Sequence, residues 1–361
     1  MQSTLLAWFV LERTDSPWQV ALVGFFGWSP LLVLGLVGGA LADSLDRKRV
    51  LTVTLSINLT AALFLTAMLT SGTLHVWHAY VAILASGSAD AVAMPSRRSL
   101  IHDIVGKARV TNAVALDTMG MNVSGMLGPA FAGLLITLTG VKGGYVAVVA
   151  FYIVALTCVS NLDAGRLRVS KPFGTGIAGA LVHGVRYVLG HRALLATILI
   201  TVIMNVTVTP YRLMVPVVAR DVLRVAPGLM GVLMSAHSLG ALVGSLLVAS
   251  TANIRYHGRV YVAGSMLALA AILLFSTSRT YALSLPIVVV AGFGNAGFNT
   301  MQMSLTMLLA KNEMRGAALG AVNLGVGGGP LGMLITGGVA TAIGTTQAIG
   351  INAVFGLACL A

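Results

Sequence analysis

Charged residues are scarce in this sequence, and acidic residues are the scarcest. Only 9% of the 361 residues are charged, with 22 Lys and Arg against ten Asp and Glu. An ordinary soluble domain carries roughly a quarter charged residues, so this composition excludes a water-soluble surface. The formal charge of +12 is spread in short clusters between apolar segments, without a basic face carrying interleaved aromatics. We therefore expect no nucleic-acid partner.

Cysteine and the short signatures of catalysis are also missing or rare. The two cysteines, Cys158 and Cys359, both lie in apolar runs, where a free thiol behaves as a small hydrophobe and no disulfide framework is implied. The sequence has no GxxxxGK[ST] phosphate loop, no HExxH, no paired-Cys metal spacing and no GxSxG turn. It therefore predicts a protein that is not an enzyme, holds no metal or cofactor and does not hydrolyse ATP.

Apolar residues, in contrast, are abundant. They make up 57% of the chain, and the mean hydropathy is +0.93. A helix needs about 20 apolar residues to cross the hydrocarbon core, where it satisfies its own backbone groups. We predict twelve such spans, near 1–11, 18–41, 50–70, 76–95, 112–138, 143–160, 193–218, 228–251, 260–277, 281–308, 317–342 and 345–361. The first is too short to cross, so we expect part of this helix to be missing before Met1, and we see no cleavable signal peptide.

The distribution of Lys and Arg predicts the orientation of the spans. Most of these residues fall in alternate connections, starting with the one between the second and third spans. The opposite side holds Arg13, Lys142, Arg220, Arg224 and Arg279. By the positive-inside rule, the richer side is cytoplasmic. We expect a multi-pass protein of a bacterial inner membrane whose central linker faces the cytoplasm.

A polar break at 161–192 divides the chain into two bundles of six spans, 1–160 and 193–361. We expect this linker to include an amphipathic helix. Short matches at one constant offset, such as 39–41 with 240–242 and 128–129 with 329–330, indicate an ancient duplication. Parallel repeats of this kind are related by a pseudo-twofold axis along the membrane normal, with substrate bound between them. A channel would need a selectivity filter or a ring of like charges, and we find neither.

The connection between the second and third spans reads GGALADSLDRKR over 38–49. It resembles the loop signature G-x-x-x-D-R-x-G-R-[KR] of the major facilitator superfamily. The matching residues are Gly39, Asp43, Arg47 and Lys48, with Arg49 completing the basic run, whereas Ser44 and Asp46 depart from the pattern. Glycine lets helix ends approach closely, a carboxylate can cap a neighbouring helix, and the basic run fixes this end in the cytoplasm.

The resemblance implies a conformational latch. In the family, the aspartate holds the outward-facing state against the eleventh helix, which would place Asp43 against the helix beginning near Gly316. Arg47 could then pair with an acid of the fourth span, where Asp90 is the candidate. The alternative is that Asp43 and the basic run form a solvated loop that only marks topology.

A second motif lies in the fifth span. There 124–133 resembles the antiporter signature G-x-x-x-G-P-x-x-G-G, with Gly128, Pro129 and Gly133 matching and Ser124 and Ala132 in place of glycine. Proline removes a backbone bond and bends the helix, while small residues allow tight packing. The resemblance favours export by antiport over uptake. The alternative is an ordinary proline kink.

Longer stretches, 94–100, 112–116 and 210–216, are similar to the subfamily that includes the enterobactin exporter and drug-efflux-like permeases. The resemblance covers essentially the whole chain. It implies an all-α major facilitator fold, with two six-helix bundles and a truncated first helix. It does not identify the substrate.

Polar residues inside the spans are candidates for coupling or for the substrate cavity, because each is costly in lipid unless it is paired or faces water. Asp90 and Asp117 lie near basic residues, so each is either an ion-pair partner or a proton carrier. Arg212 could attract an anionic substrate group or pair with Glu12. His237 could titrate near neutral pH or bond to the next helix. Uncharged candidates for a cavity that binds by shape and hydrogen bonds are Asn205, Asn295, Asn299, Gln302 and Asn323.

These features predict a secondary active transporter. We expect it to be a monomer in membrane lipid that exports a small amphipathic molecule, siderophore-like or drug-like, in exchange for protons by alternating access. The alternatives are a transporter working in the uptake direction and a truncated, transport-inactive membrane protein. The sequence does not reveal the substrate or the stoichiometry.

Overall fold

Helices make up nearly all of the structure, a computed structural model that describes residues 1–44, 46–162, 186–250, 256–311 and 314–361. The description covers the backbone alone, and no side chain, at 33, 35–44, 98, 102–103, 107–108, 110–111, 114–115 and 315–317. No strand occurs in the described ranges, as expected for a chain in lipid. The predicted amphipathic helix of the linker falls largely on 163–185, outside the described residues.

The N-terminal helices are α1 (Gln2–Thr14), α2 (Pro17–Ser44), α3 (Arg47–Ser71) and α4 (Val76–Ser160). Helix α4 is interrupted at Gly106 and Gly140, where φ is 69° and 72°. Glycine adopts these left-handed conformations without a steric penalty. The two glycines therefore fold one long helical stretch into three segments, 76–105, 107–139 and 141–160, which are the predicted fourth, fifth and sixth spans.

The C-terminal helices follow a single helical turn at 186–189. They are α5 (Arg192–Val217), extended by a π-helical turn (Val218–Val222), α6 (Pro227–Ser250), α7 (His257–Thr277), α8 (Tyr281–Leu309), α9 (Arg315–Val326), α10 (Gly328–Ile343) and α11 (Thr345–Leu360). Helices α9 and α10 meet at Gly327 and together form the predicted eleventh span.

Seven helical segments within the described residues are long and apolar enough to cross a membrane. They are Arg47–Ser71, Leu116–Ser160, Arg192–Val222, Pro227–Ser250, His257–Thr277, Tyr281–Leu309 and Ala318–Ile343. The described part of each of the twelve predicted apolar runs is helical. The prediction of an all-helical, multi-pass membrane protein is therefore confirmed.

The two sets of helices share local backbone geometry. The described residues with positive φ other than glycine are Asp15 (φ 50°), after α1, and Arg224 (φ 53°), after the π-helical turn of α5. Likewise Gly140 (φ 72°) and Gly344 (φ 101°) turn the chain into the sixth and twelfth spans. Corresponding turns of the two parts thus share a residue with positive φ.

One constant offset in residue number does not relate all the helices of the two parts. Helices α2 and α6 begin at Pro17 and Pro227, which are farther apart in sequence than the matched motifs. The match of 39–41 with 240–242 therefore pairs the end of one helix with the middle of another. If the two parts arose by duplication, insertions and deletions between them would shift the register, which a search at one fixed offset cannot follow.

Glycines bring the helices of each part into close contact. A Cβ on Gly87 of α4 would lie 3.2 Å from the Cα of Gly27 in α2, and a Cβ on Gly240 of α6 would lie 3.0 Å from the amide nitrogen of Phe293 in α8. Packing of this kind replaces the hydrophobic effect, which is absent between helices in lipid.

Candidate functional site

One seam between the N-terminal and C-terminal helices joins the middle segment of α4 to α6. Ser238 Oγ donates to the carbonyl oxygen of Gly125 over 3.0 Å, and the Gly228 amide donates to Thr137 Oγ1 over 2.9 Å. Between these bonds, Ser235 Oγ donates to a carbonyl oxygen of α4. The seam therefore runs along the half of each helix that lies away from the linker.

The antiporter-like bend lies in this seam. A Cβ on Gly133 would lie 2.9 Å from the Cα of Gly231, and a Cβ on Gly231 would lie 2.5 Å from the carbonyl oxygen of Pro129. The two helices therefore cross where neither has a side chain. Gly128 faces α1, since a Cβ there would lie 3.1 Å from the amino nitrogen of Met1.

A second seam joins α2 to α10 and α5. A Cβ on Gly337 of α10 would lie 3.5 Å from the Cα of Trp18, and one on Gly24 of α2 would lie 2.6 Å from the side chain of Leu213. Like the first seam, this contact occupies the ends of the helices away from the linker.

A charged contact completes the closure on this side. Arg220, in the π-helical turn after α5, donates from Nη1 to the carbonyl oxygen of Leu11 over 3.0 Å and also pairs with the carboxylate of Asp15. Its Nε lies 2.5 Å from an oxygen of Asp221. We name this set of four residues the Arg220 clamp. Sequence reasoning used Arg220 only as a marker of topology and missed the clamp, because no motif links residues so distant in sequence.

On the linker side, α4 carries a cleft of about 730 Å³ between its first two segments. Its wall holds Arg97 and Asp117, whose Nε and Oδ1 lie 3.4 Å apart, and Arg97 Nη2 lies 3.0 Å from the sulfur of Met121. The rest of the lining is mostly apolar, with Ile101, Ile104, Val105, Ala113, Leu116, Gly120 and Ser124. The cleft thus combines apolar walls with one ion pair, and places Asp117 in a pair with Arg97.

The connection between α2 and α3 is bound to the N-terminal helices. Lys48 Nζ donates to the carbonyl oxygens of Ser160 and Leu162 over 2.8 and 2.7 Å, at the end of α4. Asp46 caps the start of α3 by accepting from the amides of Lys48 and Arg49. A capping role therefore explains why an aspartate replaces the glycine of the signature.

The structure describes side-chain contacts for Arg47 but not for Asp43. Helix α2 continues through Asp43, but its side chain and those at the start of α9 lie outside the described residues, so the latch stays a prediction. Arg47 Nη1 donates to the carbonyl oxygen of Ser99 over 3.5 Å. Asp90 instead accepts from Asn58 Nδ2 over 3.0 Å. The Arg47–Asp90 pair suggested from the sequence therefore also stays a prediction.

His237 is bonded to a neighbouring helix. Its Nδ1 lies 2.6 Å from the hydroxyl of Tyr211, and both side chains are buried. The other ring nitrogen, Nε2, is buried without a hydrogen-bond partner among the described residues. The structure thus places His237 inside the C-terminal helices, next to α5.

The uncharged candidates are brought together only in part. Gln302 Nε2 donates to Thr201 Oγ1 over 2.9 Å, and Asn205 Nδ2 donates to the carbonyl oxygen of Thr201 over 2.9 Å. The hydroxyl of Tyr261 lies 3.1 Å from Thr201 Oγ1. In the described part of the chain no hydrogen bond links this group to the remaining candidates, Asn295, Asn299 and Asn323, of which the last two are exposed.

Arg212 is exposed although it lies within α5. Glu12, its suggested partner, instead accepts a bond of 2.7 Å from Trp8 Nε1 in its own helix. The ion-pair alternative for Arg212 is therefore not what the structure shows.

The whole chain, residues 1–361, matches the protein family described as transmembrane secretion effector. Among curated proteins, it is 27% identical over 357 residues to the multidrug efflux pump Tap of Mycolicibacterium fortuitum, covering 93% of this chain and 84% of that protein. It is also 30% identical over 158 residues to the staphyloferrin A transporter of Staphylococcus aureus, covering 43% of this chain and 39% of that protein.

Solved structures of low sequence identity share the fold. A bacterial homologue of the human lysosomal transporter Spinster, in an inward-facing and unoccupied conformation, superimposes with a TM-score of 0.77 at 14% identity, covering 100% of this chain and 92% of that one. A point mutant of the nucleoside transporter NupG gives a TM-score of 0.72 at 14% identity, covering 99% of this chain and 92% of that one.

Proposed function

This chain belongs to the transmembrane secretion effector family of the major facilitator superfamily, and we propose that it exports a small amphipathic molecule in exchange for protons. The family and its relatives are membrane transporters and not enzymes. The multidrug efflux pump among the relatives supports an export direction. We further propose that it works as a monomer in a bacterial inner membrane, surrounded by lipid.

The observation that carries this proposal is the closure between the N-terminal and C-terminal helices at their ends away from the linker. The two seams and the Arg220 clamp join them at the ends away from the linker, while the cleft of α4 lies on the linker side. Alternating access requires such a state, in which one side is sealed and the other can admit substrate. The mostly apolar cleft with one ion pair suits an amphipathic ligand.

The charge distribution suggests which side is open. The positive-inside rule assigns the linker side to the cytoplasm, so this arrangement corresponds to a cytoplasm-open state. That state takes up substrate for export. In the opposite state, Asp43 is proposed to latch the linker side against the start of α9.

Asp90 is the best placed proton carrier among the described acids. Asp117 pairs with Arg97, whereas the hydrogen bond that reaches Asp90 comes from the neutral amide of Asn58. A carboxylate in a membrane span that is bonded to a neutral amide, and not held in an ion pair, can exchange its proton more readily. We therefore assign proton coupling to Asp90.

An efflux assay tests this function. Cells that express the protein should accumulate less of a fluorescent drug-like dye than cells with an empty vector, and a protonophore should abolish the difference. Unchanged accumulation across a broad dye panel would contradict export, and faster influx of a labelled solute would indicate uptake instead.

Asp90→Asn tests the coupling assignment. We expect it to lower proton-driven efflux at least about tenfold, because the neutral amide cannot carry a proton, while facilitated dye exchange without a gradient persists. Asp46→Asn, in the exposed cap of α3, is the control. Full proton-driven efflux by Asp90→Asn would rule out this assignment.

A further inference from the structure

A polar stripe follows one face of α5. Thr201, Asn205, Val208 and Arg212 are spaced by four, three and four residues, which places them on the same face of a helix of 3.6 residues per turn. This face packs on protein and not on lipid, because Thr201 and Val208 are 0% and 5% exposed. Thr201 contacts α7 and α8 through Tyr261 and Gln302.

Arg212 is the exposed member of this stripe. Its neighbours in sequence are packed: Tyr211 is buried against His237, and Leu213 closes on Gly24 of α2. Because the other residues of this face pack on protein, we expect the exposed guanidinium to face a space between helices, next to the seam on the far side.

No acidic side chain among the described residues forms an ion pair with Arg212. The described acidic side chains have other partners, namely Glu12 with Trp8, Asp15 and Asp221 with Arg220, Asp46 with Arg49, Asp90 with Asn58, and Asp117 with Arg97. The other acids are Asp43, Asp103, Asp163 and Glu313.

These four acids belong to the linker side of the sequence, near the ends of α2, of the first segment of α4 and of α4 itself, and just before α9. Helix α5 starts on that side at Arg192 and runs away from it through Arg212. At a rise of about 1.5 Å per residue, Arg212 is about 30 Å along the helix from its start. From their places in the sequence, we therefore expect none of these four acids to pair with Arg212.

We propose that Arg212 binds the anionic group of the transported molecule, so that the substrate is an amphipath carrying a carboxylate or a similar planar oxyanion. A guanidinium offers two parallel N–H donors that match a carboxylate. An uncompensated arginine inside a membrane protein is costly, and an anionic ligand removes that cost. Asn205 and Gln302, on and beside the same stripe, offer hydrogen bonds to neutral polar groups. This inference rests on the proposed function and names its substrate class.

The test compares 11-(dansylamino)undecanoic acid with its methyl ester, which differ only in the charge. Binding to the purified protein in detergent is measured by dansyl fluorescence. We expect the wild type to bind the acid about tenfold or more tightly than the ester. We expect Arg212→Gln to lose that preference and Arg212→Lys to keep part of it. Arg279→Gln, which removes an exposed arginine between α7 and α8, should bind like the wild type.

Equal binding of acid and ester by the wild type overturns the inference without any variant, and so does failure to bind either probe. Unchanged acid binding by Arg212→Gln also overturns it. Export is measured separately with the same probes in proteoliposomes. Arg212-dependent binding without export would instead contradict the proposed function, so the two failures are distinguishable.

Discussion

At the residue scale, Lys48 fixes the connection between α2 and α3 to the end of α4. Its ammonium group donates to two carbonyl groups there. The last carbonyl groups of a helix lack partners within the helix and carry a partial negative charge. A lysine at this position therefore stabilises the helix end and holds the third and sixth spans together. The loop motif thus stabilises the packing of the N-terminal helices, whether or not it also acts as a latch.

Lys48→Gln should lower the stability of the purified protein by about 1 kcal/mol, because the charged hydrogen bonds to two carbonyl groups are lost. Thermal unfolding in detergent, followed by the fluorescence of a thiol-reactive or environment-sensitive dye, measures the change. Arg49→Gln is the matched control, since the Arg49 side chain is 87% exposed in its ion pair with Asp46. Equal melting temperatures for Lys48→Gln and the wild type would remove the role assigned to Lys48.

At the element scale, the seam between α4 and α6 depends on two glycines facing each other. Gly133 and Gly231 leave no room for side chains between the helices. The sequence motif drew attention to Gly133 and Pro129 as a bend, and the structure adds that this bend is a contact between the two parts of the chain. A pivot at a contact without side chains can slide with little steric cost.

Gly133→Leu should reduce efflux at least about tenfold while leaving membrane insertion intact, because the side chain would meet the backbone of α6 and force the seam apart. Dye efflux normalised to the amount of protein in the membrane is the measurement. Gly258→Leu is the control, since a Cβ at Gly258 meets nothing within 4 Å. Normal efflux by Gly133→Leu would show that the seam is not required for transport.

At the scale of the whole molecule, we expect the Arg220 clamp to bias the balance between the two proposed access states. Asp15 and Arg220 belong to different parts of the chain and must separate when the far side opens. The Asp15 side chain is 83% exposed, and exposed ion pairs contribute at most about 1 kcal/mol. The additional bond from Arg220 to the Leu11 carbonyl makes Arg220 the more important partner.

Asp15→Asn should therefore shift the population towards the state open on the far side by a few-fold at most, and Arg220→Gln by more. Spin labels at positions 13 and 224, after replacement of Cys158 and Cys359 by serine, would report the two populations by their distance distribution. The exchanged pair Asp15→Arg with Arg220→Asp should restore part of the closed state. Identical distance distributions in all variants would contradict a role for the clamp.

The sequence by itself determined the class of the protein. With so few charges, the chain can only be stable in lipid, where each apolar run must be a helix. The apolar runs therefore located the spans. Composition does not encode the positive φ at Gly106 and Gly140, which joins three spans into one folded stretch. Motif residues such as Gly133 and Pro129 could be found because their chemistry is local.

Only the tertiary structure decided which side is closed and which polar groups meet. The contacts of Arg220 with Asp15, of Lys48 with the end of α4, and of Asp90 with Asn58 join residues that are distant in sequence. The sequence allows many different pairs of acidic and basic residues. Arg47 with Asp90, and Arg212 with Glu12, were two of the pairs that it suggested. The choice among them follows from how the helices pack, because a hydrogen bond forms only where that packing brings donor and acceptor within about 3 Å.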